Sequence, residues 1–138
     1  MDPYKKHTLY LLRCAVSGTK PDACHLQNLD LKKILIFSRF HSVSALVAYA
    51  LTTMSDSSGL ISQQQRELLS AEKSKAIRHF MMQNREADSI CGALESAQII
   101  YLPLKGCVIS KYYPFGLREM SDIDILLMNP AATKPALL

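Results

Sequence analysis

Through most of the first hundred positions, apolar side chains recur at three- and four-residue steps; after that the rhythm changes to alternation. Tyr4 to Val16, with Leu9, Leu12 and Val16, predicts a helix that Gly18 stops. Thr19 to Asn28, which holds Pro21, predicts a connector. Asp30 is placed to cap a helix using Leu31, Ile34 and Leu35 on one face. The chain is expected to turn at His41-Ser42, with Ser42 or Ser44 opening a third helix through Val43, Leu46, Val47, Ala50, Leu51 and Met54. Ser55 to Gly59 is a polar hinge. Ser62 with Gln65 forms a capping-box pattern. From there to Gln98 no proline interrupts the period carried by Leu69, Ala76/Ile77, Phe80/Met81, Asn84, Ala87, Ile90/Cys91 and Leu94, which predicts one long helix or two broken near Gly92.

At Ile99 the texture becomes β-branched and aromatic. Residues 99–104 predict a strand, with Pro103 marking an edge or bulge because it cannot donate to a ladder. Val108 to Tyr113 predicts a short helix ended by Pro114, and Ser121 to Met128 a second strand closed by Asn129-Pro130 before an unstructured tail. The organisation expected is a helical region over 1–98 and the start of a strand–helix–strand core over 99–138, together one α+β unit.

Composition bounds the reading. A chain of 138 residues, 49% hydrophobic and 20% charged, holds one domain with a real core. No apolar run approaches the roughly 20 residues of a membrane span, and the N-terminus lacks the apolar run of a signal peptide, so a cytoplasmic location is expected. Cys14, Cys24, Cys91 and Cys107 have no zinc-finger spacing and are expected as reduced thiols, mostly small buried hydrophobes. The net charge of +4 lies in the N-terminal third, in residues 1–54. It is compatible with a polyanion without demanding one, and an RNA- or DNA-binding helical domain ranks last among the readings.

The sharpest chemical signal is Asp122-Ile123-Asp124. On a strand, residues i and i+2 share a face with Cα atoms about 6.6 Å apart, so both carboxylates would lean one way and Ile123 and Ile125 the other. Such a pair suits a hard divalent cation, and Mg²⁺ prefers one or two carboxylates plus phosphate oxygens. Alone, an Asp-x-Asp is more often a solvated surface pair. Upstream, Lys105-Gly106 falls between a strand and a helix start, where amides can meet phosphate, Gly106 permits close approach and Lys105 supplies a point charge.

Leu104-Lys105-Gly106, then Tyr112-Tyr113-Pro114, Arg118 and Asp122-Ile123-Asp124-Ile125-Leu126 together resemble the uncharacterised nucleotidyltransferase family, part of the DNA polymerase β-like nucleotidyltransferase superfamily. The specific match covers roughly residues 99–128; the helical half, with Phe40-His41-Ser42-Val43, is also similar but less distinctive. The resemblance implies a helical region packed on the first strands of a nucleotidyltransferase-type mixed sheet. It also implies transfer of a nucleotidyl group from an NTP to an unknown acceptor, with Mg²⁺ in a two-metal site and release of pyrophosphate. Carried over by position, Asp122 and Asp124 would be the catalytic metal ligands; Lys105, Gly106 and Cys107 would line the triphosphate site. Arg118 would contact phosphate or brace the strand.

Two departures qualify the match. Gly106-Cys107 stands where the superfamily often has Gly-Ser, so a hydroxyl contact to phosphate is lost while the backbone donors remain. No Asp or Glu follows Asp124, so the third carboxylate usual in the superfamily is missing; Glu119, on the connecting loop, is a poor substitute. The expectation is an N-terminal fragment with weak or no turnover. The alternative is a non-enzymatic helical interaction module with a vestigial acidic pair.

Overall fold

Proline at the first helical position, where its missing N–H costs nothing, opens α1 (Pro3–Ser17), and Gly18 at φ 66° closes it by donating to the Cys14 carbonyl. The structure, a computed structural model, describes residues 1–54 and 59–128. A 3₁₀ turn (Ala23–Leu26) interrupts the connector, with Asp22 accepting from the Cys24 amide. Asp30 caps α2 (Leu31–Phe40) through the Lys33 amide, as its position predicts. The chain then turns at His41-Ser42 into α3 (Ser44–Thr52). Ser62 and Gln65 close a reciprocal capping box at the head of α4 (Gln63–Ser96), which runs unbroken through Gly92.

The core is helical. Leu11, Cys14 and Ala15 of α1 meet Leu31, Ile34 and Leu35 of α2 around α3, whose Ala45, Val47, Ala48 and Leu51 are sealed from solvent. A helix apolar on every side has to be central, and α3 packs on both α1 and α4. The Leu9/Leu12/Val16 face expected for α1 is a correction: Leu9 and Val16 point to solvent, and Thr8, Leu11, Cys14 and Ala15 face inward. Small side chains at 14 and 15 let α3 approach closely, and Thr8 enters the core because its hydroxyl bonds the Tyr4 carbonyl at 2.8 Å. The cysteine expectation also needs correcting, since only Cys14 is buried while Cys24 is exposed and Cys91 and Cys107 are half-buried.

Along α4, Leu69, Ala76, Phe80 and Gln83 are buried on one face; beyond Gln83 the stripe of Asn84, Ala87, Cys91 and Leu94 is only half covered. That second half carries a small antiparallel sheet of β1 (Tyr101–Pro103) and β2 (Ile125–Leu127), in the register Tyr101↔Leu127, Leu102↔Leu126 and Pro103↔Ile125. Among the described residues the sheet has these two strands, so Pro103 does lie on an edge strand. Between the strands come one helical turn, α5 (Gly106–Ile109), and a 3₁₀ turn (Ser110–Tyr112). The result is α+β. Both strands are shorter than expected: flanking bonds from Leu104 N–H to the Asp124 carbonyl and from Met128 N–H to the Ile100 carbonyl add one rung at each end. The strand expected over 121–128 begins at Ile125 because its partner leaves the ladder at Lys105 to enter α5, so 122 and 123 have nothing to pair with. Residues 55–58 of the polar hinge expected over 55–59, and the closing Asn129-Pro130 with its tail, fall outside the described residues.

Candidate functional site

The turn from β1 into α5 is set by an unusual backbone. Lys105 adopts φ 44°, ψ −109°, close to the first central position of a type II′ turn, which glycine dominates. A lysine there carries strain on the order of 1–3 kcal/mol that its surroundings must offset. The Lys105 carbonyl accepts from Val108 at 3.1 Å and Ile109 at 2.8 Å, which fixes the start of α5. Gly106 is fixed by crowding: a Cβ there would lie 2.6 Å from Met120 Sδ and 3.2 Å from Arg118 Nη1. The glycine lets the Met120 and Arg118 side chains lie close against the turn, and any side chain there would make them shift.

Lys105 Nζ lies 3.1 Å from Asp124 Oδ2. The hydrogen bond and charge of Asp124, with a further contribution from the Asp122 charge, hold the ammonium above its ordinary value. Both carboxylates thus act on the same cationic point. Asp124 is half-buried and Asp122 exposed, the latter accepting from Ser121 Oγ at 3.4 Å. Asp122 precedes the ladder, so its placement follows from the loop and not from strand alternation. Arg118 has its guanidinium carbon 5.9 Å from the Tyr113 ring centroid and its Nη1 beside Gly106. Cys107 lines a groove of about 430 Å³ between α4 and the sheet, shared with Asn84, Cys91, Pro103 and Ile125.

The donor set suits a hard cation, because a half-buried carboxylate already draws a positive charge to itself with a second carboxylate in electrostatic reach. Two carboxylates are its extent: among the described residues no three His, Cys, Asp or Glu side chains group to hold a metal. Glu119 points elsewhere. Its Oε1 accepts from Ser44 Oγ at 3.3 Å, in a polar cleft of about 230 Å³ lined also by Arg39, Glu72, Lys75 and His79.

That cleft is the part of the site region that spacing alone did not reveal. Ser44, one of the two serines expected to open the third helix, is the first residue of α3; its hydroxyl lies between Glu72 at 3.0 Å and Glu119 at 3.3 Å. Gln83 Nε2 donates to the Met120 carbonyl at 2.8 Å, and His79 Nε2 lies 3.3 Å from the same oxygen. These contacts tie the loop that leads into Asp122 to the helical body. The pairs are 28 to 75 residues apart in sequence, so no local pattern signals them.

Arg39 donates to Glu72 through Nε at 3.1 Å and through Nη2. The guanidinium first, then the Ser44 hydroxyl, hold the Glu72 carboxyl below its ordinary value of 4.5 despite an opposing effect of burial. A depressed carboxyl contributes stability that is present above its unfolded-state value and is lost as pH falls through its folded-state value. Acid titration of stability should therefore drop more steeply below pH 4.5 in the wild type than in Glu72→Gln. The difference is about 1 kcal/mol or less, because Arg39 is half exposed. Urea unfolding at successive pH values checks this, and parallel curves would show that the pair contributes nothing.

An acidic pair, a strained lysine–glycine turn and a guanidinium, gathered at the edge of a small sheet on a helical body, define a candidate phosphate- and cation-handling centre. The chain belongs to the uncharacterised nucleotidyltransferase family, whose model matches residues 27–136. No curated protein and no solved structure is significantly similar to it. Among the described residues, no helix is long and apolar enough to cross a membrane.

Proposed function

We propose that the chain binds a nucleoside triphosphate with Mg²⁺ and takes part in transfer of the nucleotidyl group to an acceptor hydroxyl, releasing pyrophosphate. When bound, the metal would supply Lewis-acid activation of the attacking oxygen and steady the departing pyrophosphate. The chain's own groups do the holding. Asp122 and Asp124 would ligate the metal; Lys105 and Arg118 would meet phosphate charge at the turn where the Gly106 and Cys107 amides precede any intrahelical bond. The nucleotidyltransferase-type arrangement of the sheet belongs to the same proposal, with α4 as the layer behind the strands.

The observation that supports this reading best is the meeting of the two motifs: Lys105 of the glycine turn lies 3.1 Å from Asp124 of the acidic pair, with Asp122 acting on the same ammonium. Calorimetric titration of the four NTPs in Mg²⁺ tests it. At least one should bind the wild-type chain and fail to bind Asp122→Ala. Binding is the decisive readout because, among the described residues, two carboxylates are gathered. Strong pyrophosphate release, lost in Asp122→Ala, would mean that two are enough for turnover. No binding of any NTP would favour the interaction-module reading.

A further inference from the structure

This inference rests on the nucleotidyl-transfer reading and concerns how its metal and nucleotide arrive. The Lys105 ammonium is aimed at Asp124 by a turn whose carbonyl two amides hold and whose next residue, Gly106, packs closely against Met120 and Arg118. The target, Asp124 Oδ2, is the oxygen best placed to ligate a cation, being half-buried and 3.1 Å from the ammonium. Mg²⁺ takes oxygen ligands at about 2.0–2.1 Å. An ammonium bonded to that oxygen occupies the approach the metal needs, so the two cations compete.

We propose that Lys105 is a built-in counter-ion of Asp124 that a divalent cation must displace, and that the displaced ammonium is taken up by the phosphates of the nucleotide. No covalent step is involved; one ion pair is exchanged for two. Nucleotide then offers Lys105 a second anion and makes metal entry easier, and metal frees Lys105 for nucleotide. By linkage, each ligand raises the affinity of the other by the same factor. Lys105 is in this sense a positioning residue. Its side chain is 72% exposed, so it is free to swing between the two anions.

The test measures Mn²⁺ binding to the full chain by electron paramagnetic resonance, with and without α,β-methylene ATP. Lys105→Met removes the ammonium; Lys105→Gly removes it and also suits the positive φ, which guards against a folding failure. Both should bind Mn²⁺ alone about two- to fivefold more tightly than wild type, the value of an exposed ion pair. In both, the nucleotide analogue should raise Mn²⁺ affinity by a smaller factor than in wild type, what remains being the part its phosphates supply as metal ligands. Lys105→Arg should restore both behaviours. Lys111→Met, which removes a charge placed 5.2 Å from the Tyr112 ring centroid, should match wild type. Unchanged or weaker Mn²⁺ binding in both Lys105 variants, or coupling as large in them as in wild type, overturns the counter-ion role while leaving the nucleotidyl-transfer reading intact. If wild type and every variant bind neither Mn²⁺ nor the analogue, the underlying reading has failed and the counter-ion role falls with it.

Discussion

In Asp124→Asn, Mn²⁺ affinity is expected to fall by more than the roughly 10–100-fold that loss of an outer-shell partner costs a metal site, because the proposed function makes Asp124 a direct ligand. The amide keeps the size and hydrogen-bonding capacity of the side chain but removes the charge that draws Lys105 to within 3.1 Å. Stability should hardly move. The Lys105–Asp124 pair is solvent-exposed on the lysine side, and such pairs contribute about 0–1 kcal/mol. The Asp124 carbonyl, which accepts from Leu104 at 2.9 Å, is untouched, so the end of the β1–β2 ladder survives. Equilibrium Mn²⁺ binding and a thermal melt on the same sample separate the two effects. Wild-type Mn²⁺ affinity in the variant would remove Asp124 from any metal role. A collapse of the melt would recast it as a structural residue.

Local signals in this chain were legible because they act over one turn. The Asp30 cap, the Ser62–Gln65 box and the Gly18 stop each involve residues within four or five positions, and each predicts the element boundary that forms. The phase of α1 was not legible. Leu9, Leu12 and Val16 are as apolar as the residues that are buried, and what selects Leu11, Cys14 and Ala15 is the close approach of α3, a tertiary fact. The acidic pair was visible from its spacing and from family resemblance, but its strand was overextended, since a strand's length depends on where its partner turns away, here at Lys105. The cleft joining Ser44, Glu72 and Glu119 was invisible for the same reason: two helices and a loop must assemble before those oxygens meet.

Leu69→Ala should be the most damaging substitution for the fold. Leu69 is fully buried on the face of α4 that packs against α3, in the same core as Leu51 and Val47. Truncating a buried leucine costs about 2–5 kcal/mol through lost transfer energy and the cavity left behind, which for a chain of this size is a fall in melting temperature of roughly 10 °C. Met82→Ala, on the same helix but 63% exposed, should change stability by no more than about 0.5 kcal/mol. Urea melts followed by circular dichroism discriminate the two. Equal effects would mean that the helix presents a different face to the core. The contrast also separates the halves of α4. The hairpin loop attaches at Gln83 and His79, ten or more residues beyond Leu69, through the Met120 carbonyl. Below its lowered melting temperature the Leu69→Ala protein should still bind Mn²⁺, because the bonds from Gln83 and His79 to the Met120 carbonyl lie ten or more residues along α4 from the substitution.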